Sequence, residues 1–379
     1  MAGQIWNASR ANVRAMPAPP AHGGMPNLSR RLGLADSAQP PIPGTYAALD
    51  LGTNNCRLLI ARPHNGHCDL HSGDSAFRIV DSFSRIVRLG DGLSRCGALN
   101  EAAMERTLVA LEICRDKMQA QSVSRARLIA TEACRGAANG AQFIRQVRRV
   151  TGLDLEIVDR RTEAHLAAEG CAVLADPEAA AAVLFDIGGG SSEVVWLAQD
   201  AAAACAKNPA PRRKVSLWAS LRLGVVSLAE KFGGVDVTRA VFEAMVEHVM
   251  RELRPFARRA QAEKRCAKFH LLGTSGTVTT LAGIHLDLAR YDRRRVDGLW
   301  MSNAEVEGAM QRLLGMSWQQ RVANGCIGHE RADLVLAGCA IFEAIRRAFP
   351  SRRVRIADRG LREGLLMQMM NADGAWGRA

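Results

Sequence analysis

Val183-Leu184-Phe185-Asp186-Ile187-Gly188-Gly189-Gly190-Ser191 decides the fold, because an earlier stretch shares its plan: Ala47-Ala48-Leu49-Asp50-Leu51-Gly52-Thr53-Asn54-Asn55. Each is an apolar strand, an Asp, one aliphatic residue, a Gly-led small polar turn and then a second apolar strand. Asp50 and Asp186 lie 136 residues apart, a spacing for two domain-sized halves rather than a solenoid. Glycines and small polar residues between strands let backbone N–H groups converge on an anion. One such turn is as well explained by an ordinary hairpin. Two matched copies, each behind an Asp, point to a shared ligand. The copy with three consecutive glycines is the stronger, since that run costs conformational entropy and packs nothing.

Strands and helices alternate around both copies. Tyr46–Asp50 and Cys56–Ala61 read as strands, with further strand at Ile79-Val80 and Ile86-Val87. Asn100 is placed to cap a helix whose stripe Met104, Leu108, Leu111, Cys114 and Met118 follows i+3/i+4 spacing. A strand at Leu128–Ala130 precedes a helix after Glu132, and a strand at Leu155–Val158 leads into a helix over Arg161–Glu169 with Asp159 as its cap. A third glycine turn, Gly273-Thr274-Ser275-Gly276-Thr277, follows the apolar Phe269–Leu272. Helical spacing then marks Val241–Phe256, Glu305–Leu314, Ala332–Ala348 and a closing helix, Leu361–Met370. This alternation predicts an α/β fold with crossover connections.

The chain has 379 residues, 48% hydrophobic and 23% charged, the balance of a globular protein with room for two cores. No run of about 18 apolar residues occurs, so no spanning helix is expected. Ten cysteines without a CxxC pair or paired Cys/His spacing argue against a zinc finger or disulfide framework and for a reducing, cytoplasmic setting. The net charge is +12, and only six of 50 basic residues are lysine. Arginine's planar fork suits phosphate, although a GC-rich genome, which inflates Arg and Ala together, would leave the same mark. Residues 1–44 are proline-rich and basic with Asp36 as the lone acid, which predicts a disordered tail. Only two tyrosines occur, with no aromatic–basic interleaving, so neither DNA nor RNA is expected as a partner. No Gly-Lys dipeptide occurs, which excludes a Walker-type phosphate loop.

Two Asp-x-Gly turns facing each other across a cleft form the phosphate-binding plan of the actin-like ATPase and sugar-kinase superfamily. Within it, the chain resembles the exopolyphosphatase/guanosine pentaphosphate phosphatase family from about Tyr46 to Met370. The resemblance is carried by Leu49–Leu58, Arg88-Leu89-Gly90-Asp91-Gly92-Leu93, Ala130-Thr131-Glu132-Ala133-Cys134-Arg135, Asp186–Glu193, Gly273–Thr277 and Asp358-Arg359-Gly360-Leu361-Arg362-Glu363-Gly364. It implies two actin-like (ribonuclease H-like) lobes, 45–168 and 169–360, with a duplicated β-hairpin and a cleft between them. The helix over 361–372 would pack back on the first lobe. Longer relatives add an HD-type domain, which is not expected here because no His-Asp dipeptide occurs.

The same resemblance assigns roles. Glu163 stands where the family has its catalytic Glu, although a Glu in the first turn of a helix is also favoured by the dipole alone. Asp186, Glu193 and Asp50 would serve Mg²⁺, a hard cation suited to carboxylate oxygens; strand-end polar residues bonded to backbone are the plainer account. Gly52, Thr53, Asn54, Asn55, Gly188, Gly189, Gly190, Ser191, Gly273, Thr274 and Ser275 would bind phosphate, and Arg135 would clamp the transferred group. Arg57 and Arg88 are weaker candidates of that kind. Asp159-Arg160-Arg161-Thr162 departs from the family's small, glycine-containing segment ending in a second Glu, and His165 replaces a common Arg. His329-Glu330 is not HExxH, since Asp333 stands where His is needed, and Arg331 with Asp333 is expected to form a structural ion pair. Cys134 and Cys171 are expected in the core.

The implied reaction is Mg²⁺-dependent release of orthophosphate from polyphosphate, with Glu163 as general base. Alternatives are removal of the 5′-phosphate from guanosine pentaphosphate (a substrate of the stringent response), phosphotransfer from polyphosphate to ADP, and a catalytically weak sensor of polyphosphate or alarmone. Dimerisation is common in similar proteins, so a homodimer is a further expectation of the resemblance.

Overall fold

A computed structural model describes residues 44–64, 77–199, 213–266 and 268–375. The segment read as a disordered tail, 1–44, lies outside the described residues except for Gly44. Eleven strands among the described residues form two sheets. The first holds β1 (Tyr46–Leu51), β2 (Asn55–Pro63), β3 (Phe77–Ile86), β4 (Arg125–Ala130) and β5 (Glu156–Ile157), in the order β3-β2-β1-β4-β5. The second holds β6 (Ala181–Ile187), β7 (Ser192–Gln199), β8 (Arg213–Leu221), β9 (Phe269–Thr274), β10 (Trp300–Ser302) and β11 (Arg353–Ala357), in the order β10-β11-β9-β6-β7-β8. Apart from the edge strand β10, the two orders coincide. In each, an antiparallel hairpin (β1–β2 or β6–β7) is extended on one side and joined on the other by a parallel strand (β4 or β9). The repeat seen in nine residues is thus a repeat of whole sheets.

The hairpins have matching registers. Asp50 faces Arg57 across the first, and Asp186 faces Glu193 across the second. The turns are closed alike: the Gly52 N–H donates to the Asn55 carbonyl and the Gly188 N–H to the Ser191 carbonyl, both at 2.9 Å. Ile79-Val80 and Ile86 belong to one continuous β3 instead of separate short strands. Asn100 caps the helix Glu101–Ala120 by accepting from the Ala103 N–H at 2.8 Å, and Asp159 caps Arg160–Cys171 by accepting from the Thr162 N–H at 2.7 Å, as their spacing predicts.

Helices cover the sheets and supply the core. In the second half the helices Arg239–Arg259 and Val335–Ala348 bury Phe242, Phe256 and Phe342 against the sheet, and Phe342 stacks on Phe185 of β6 with ring centroids 5.1 Å apart. Each such ring contributes roughly 1.5–3 kcal/mol by leaving water. Cys134 and Cys171 are both buried. No helix among the described residues is long and apolar enough to cross a membrane.

The helix Leu361–Ala372 packs Leu365, Leu366, Met369 and Met370 against β1 residues Tyr46 and Ala48 and against Leu166. It crosses Arg160–Cys171 at two glycines. A Cβ on Gly364 would overlap the Leu166 carbonyl, and one on Gly170 would overlap the Gly360 carbonyl. Backbone meets backbone there, so no side chain can yield. Gly364→Val is therefore expected to cost about 1–3 kcal/mol and to lower the melting temperature by several degrees in a thermal denaturation scan. An unchanged melting temperature would refute the close crossing.

Candidate active site

A cleft enclosing about 130 Å³ of water-sized space lies between the two hairpin turns. Its lining includes Asp50, Gly52, Thr53, Asn54 and Asn55 from the first turn, Asp186, Gly188, Gly189, Gly190, Ser191 and Glu193 from the second, and Glu163 and Ser275. Thirteen of the sixteen residues singled out from the sequence thus converge on one space. The turns nearly touch. A Cβ on Gly189 would sit 3.0 Å from the Thr53 Cβ, and one on Gly190 would sit 2.6 Å from its Oγ1. Glycine is required at these positions because Thr53 occupies the space a side chain would fill.

The turn carbonyls are held from behind. Val87 and Arg88 donate their N–H groups to the Asn54 carbonyl and Gly90 to that of Thr53, while Val225 and Val226 donate to Gly188 and Gly189, all within 2.8–3.0 Å. Among the described residues, the N–H groups of Thr53, Asn54, Gly189, Gly190 and Ser191 donate to no protein acceptor. Carbonyls tied back and amides left free make each turn an anion nest. Arg88 accepts a left-handed backbone (φ 49°) in making its contact. Its side chain makes a bidentate pair with Asp333, 3.0 Å to each oxygen.

The carboxylates are poorly compensated. Burial pushes Asp186 up to about 7, with Arg57 pulling it down and Asp50 and Glu363 pushing it further up. Asp50 is raised for the same first reason, against Arg57 and Arg362. Glu193, 3% exposed, is held well above the usual carboxylate range by burial and by Glu163 and Asp186, although Ser220 donates to it at 2.7 Å. Glu163 is pushed up to about 7 by burial, opposed by Arg135, whose Nη2 donates to its Oε2 at 3.0 Å.

Among the described residues no group of three or more His, Cys, Asp and Glu is close enough to form a metal cage. The donor set nevertheless fits Mg²⁺, which binds through one or two carboxylates together with substrate phosphates and retained waters. Buried carboxylates short of positive charge, and the side-chain oxygens of Asn54 and Asn55, buried without a hydrogen-bond partner, are hard oxygen sites of that kind.

Three sequence-predicted residues lie off the cleft surface. Gly273 sits inside β9 against Phe185, where a Cβ would meet the ring at 2.5 Å. The Thr274 hydroxyl donates to the Arg359 carbonyl at 2.5 Å, so strand geometry turns it from the cleft; Ser275, one residue on, lines it. Arg135 stands behind Glu163, with Nη1 on the Val158 carbonyl at 2.6 Å and Nε and Nη2 on Glu132 at 3.1 and 2.5 Å. The expected Arg331–Asp333 pair is replaced by Arg88–Asp333, with Arg88 in the segment after β3. Arg331 instead lines the cleft near Gly276. Glu132 also lines it. The sequence assigns neither a place on the cleft, since a lone charge carries no local signal of which way it faces.

Comparison with known proteins identifies the family and the fold. Residues 60–373 match the Ppx/GppA phosphatase family. "Exopolyphosphatase 2" of Mycobacterium tuberculosis is 27% identical over 335 residues, spanning 85% of this chain and 98% of that protein. The crystal structure of the Aquifex aeolicus Ppx/GppA family member superposes with a TM-score of 0.68 at 26% identity, over 89% of this chain and 99% of that one. An exopolyphosphatase structure from Cytophaga hutchinsonii, 22% identical, shares the fold with a TM-score of 0.74, over 86% of this chain and 98% of that one.

The raised carboxylate pKa values have a consequence for stability. A group whose pKa rises on folding favours the native state below its unfolded value, and that contribution is lost as pH climbs through the folded value. For Asp186 the window runs from its ordinary value of 3.8 to about 7. Asp186→Asn, which cannot ionise, is expected to raise the melting temperature more at pH 8 than at pH 5 in Mg²⁺-free buffer. An equal gain at both, or a loss at pH 8, would contradict the buried charge.

Proposed function

The chain belongs to the Ppx/GppA phosphatase family, whose members are phosphoanhydride hydrolases, and we propose that it is an exopolyphosphatase releasing orthophosphate from the end of inorganic polyphosphate. The observation that carries this reading is the pair of facing turns with free amides, which leaves Glu163 on the wall of the same cleft. The likeness to Exopolyphosphatase 2 supports the substrate class. So does the cleft lining, which contains no Trp, Tyr or Phe among the described residues and so offers no ring on which a guanine base could stack.

In this reading the terminal phosphoryl group lies between the amides of Thr53 and Asn54 and those of Gly189, Gly190 and Ser191. Phosphoryl transfer proceeds through a loose transition state, so holding the group and stabilising its equatorial oxygens supply most of the rate. Bound Mg²⁺, held by Asp186, Glu193 and Asp50 directly or through water, would neutralise phosphate charge. Glu163 orients a water and accepts its proton as the new P–O bond forms. The bridging P–O bond breaks, the shortened polyphosphate leaves with the electron pair on its terminal oxygen, and orthophosphate departs. Thr162 stands where the family pattern has a second carboxylate, so Glu163 performs this step without that neighbour.

Guanosine pentaphosphate hydrolysis uses the same chemistry and is separated by substrate competition: polyphosphate is expected to give the higher kcat/KM. Water as acceptor predicts no ATP when ADP is added.

Two further outcomes follow. Glu163→Gln, of the same shape, is expected to abolish orthophosphate release while polyphosphate binding survives; turnover equal to wild type would remove Glu163 from the mechanism. Because Glu163 must be ionised to accept a proton and is pushed up to about 7, kcat/KM should fall as pH drops through about 7. A profile flat down to pH 5 would count against it.

A further inference from the structure

Glu132 has no part in either turn, yet it belongs to a chain of charges that ends on Glu163. It opens the short helix Glu132–Gly136 after β4 and lines the cleft. Its Oε2 accepts from Arg135 Nε at 3.1 Å and Nη2 at 2.5 Å, and its Oε1 accepts from Arg160 Nη2 at 2.7 Å. Arg135 Nη2 also donates to Glu163 at 3.0 Å. Four side chains thus alternate in sign: Arg160, Glu132, Arg135, Glu163. Their side-chain exposures are 26%, 15%, 15% and 12%, so the chain runs inward from the rim.

A single flexible arginine is a poor anchor for a carboxylate that must aim a water. Arg135 has several rotatable bonds, and its Nη2 is shared between Glu163 and Glu132. Nε and Nη2 both donate to one Glu132 oxygen, and with Nη1 on the Val158 carbonyl this fixes the position and the plane of that guanidinium. Arg160 then partners a half-buried carboxylate that would otherwise have Arg135 alone. Glu132 is itself confined, since a Cβ on Gly190 would lie 3.2 Å from the Glu132 Cγ. The glycine loop of the second sheet therefore abuts the residue that steadies the base in the first. Arg160 lies in the segment that departs from the family pattern, and its buried Nε has no hydrogen-bond partner, so its hold on the site is through Glu132.

We propose that Glu132 is a positioning residue for the hydrolysis: it fixes the Arg135 guanidinium, which holds the Glu163 carboxylate, and Arg160 acts by holding Glu132. This rests on the reading of Glu163 as the base. Misplacement of a reacting group by about 1 Å can cost on the order of 100-fold in rate, so loss of the anchor should appear in kcat rather than KM.

The test is steady-state orthophosphate release from polyphosphate with Mg²⁺ by wild type, Glu132→Gln, Glu132→Ala, Arg160→Ala, the Glu132→Ala/Arg160→Ala double variant and Glu163→Gln. Glu132→Ala is expected to lower kcat by about tenfold or more with KM within about twofold. Glu132→Gln, which keeps one acceptor oxygen and the shape, should fall between it and wild type. Arg160→Ala should lower kcat less, and its effect should vanish when Glu132 is already Ala. A wild-type kcat in both Glu132 variants, a rise in KM at constant kcat, or an Arg160→Ala effect that persists undiminished in the double variant would each overturn the proposal. Should Glu132→Ala not fold, Glu132→Gln decides alone: an unchanged kcat refutes the anchor, and a lowered kcat at constant KM supports it. Glu163→Gln separates the two claims, since its turning over like wild type would remove the base reading itself.

Discussion

Four carboxylates, Asp50, Asp186, Glu193 and Glu163, share a cleft too poorly supplied with cations to keep them at their ordinary pKa values. Burial raises all four, and they raise one another: Asp50 acts on Asp186 and Glu163, and Glu163 acts on Glu193. Arg57, Arg362 and Arg135 oppose this without cancelling it. A fold selected for stability alone would place apolar or amide side chains here. The arrangement is intelligible as one completed by a bound cation and held together by the rest of the structure, including the large apolar core of the second half.

Fold and site share one origin. Each half delivers its Asp from the end of a central strand, two residues before the glycine of a turn whose carbonyls are tied back and whose amides are left free. Duplication brings two such ends into opposition, and the glycines let them approach until Thr53 lies against Gly189 and Gly190. The contact extends beyond the turns: Arg88, whose backbone supports the first, pairs with Asp333 of the second half, and Glu230 accepts from the Gly92 N–H at 2.9 Å. The first turn and the opposite half are thus mechanically linked through a few polar contacts around the cleft.

Much of this was legible in residue order. The duplicated hairpin and the helix caps at Asn100 and Asp159 depend on local pattern and repeat, which a chain displays directly; the place of Glu163 beside the turns is what the family resemblance implies. What escaped depends on which of several nearby charges meet in space. Arg331 and Asp333 are close in sequence, yet Arg88, far away in the chain, takes the carboxylate. Thr274 and Ser275 are adjacent, yet strand geometry sends one hydroxyl to the Arg359 carbonyl and leaves the other on the cleft wall. Glu132 and Arg135 sit one turn apart on a short helix, and only the tertiary approach of Arg160–Cys171 makes them neighbours of Glu163.

Hydrolysis at this site requires phosphate to be held between the two turns beside Glu163. A crystal structure of the Glu163→Gln variant with tripolyphosphate and Mg²⁺ addresses this most directly. It should show the terminal phosphate accepting hydrogen bonds from amides of both turns, with the cation between its oxygens and the Asp186 side. Tripolyphosphate bound elsewhere while the cleft stays filled by protein or water alone would contradict it.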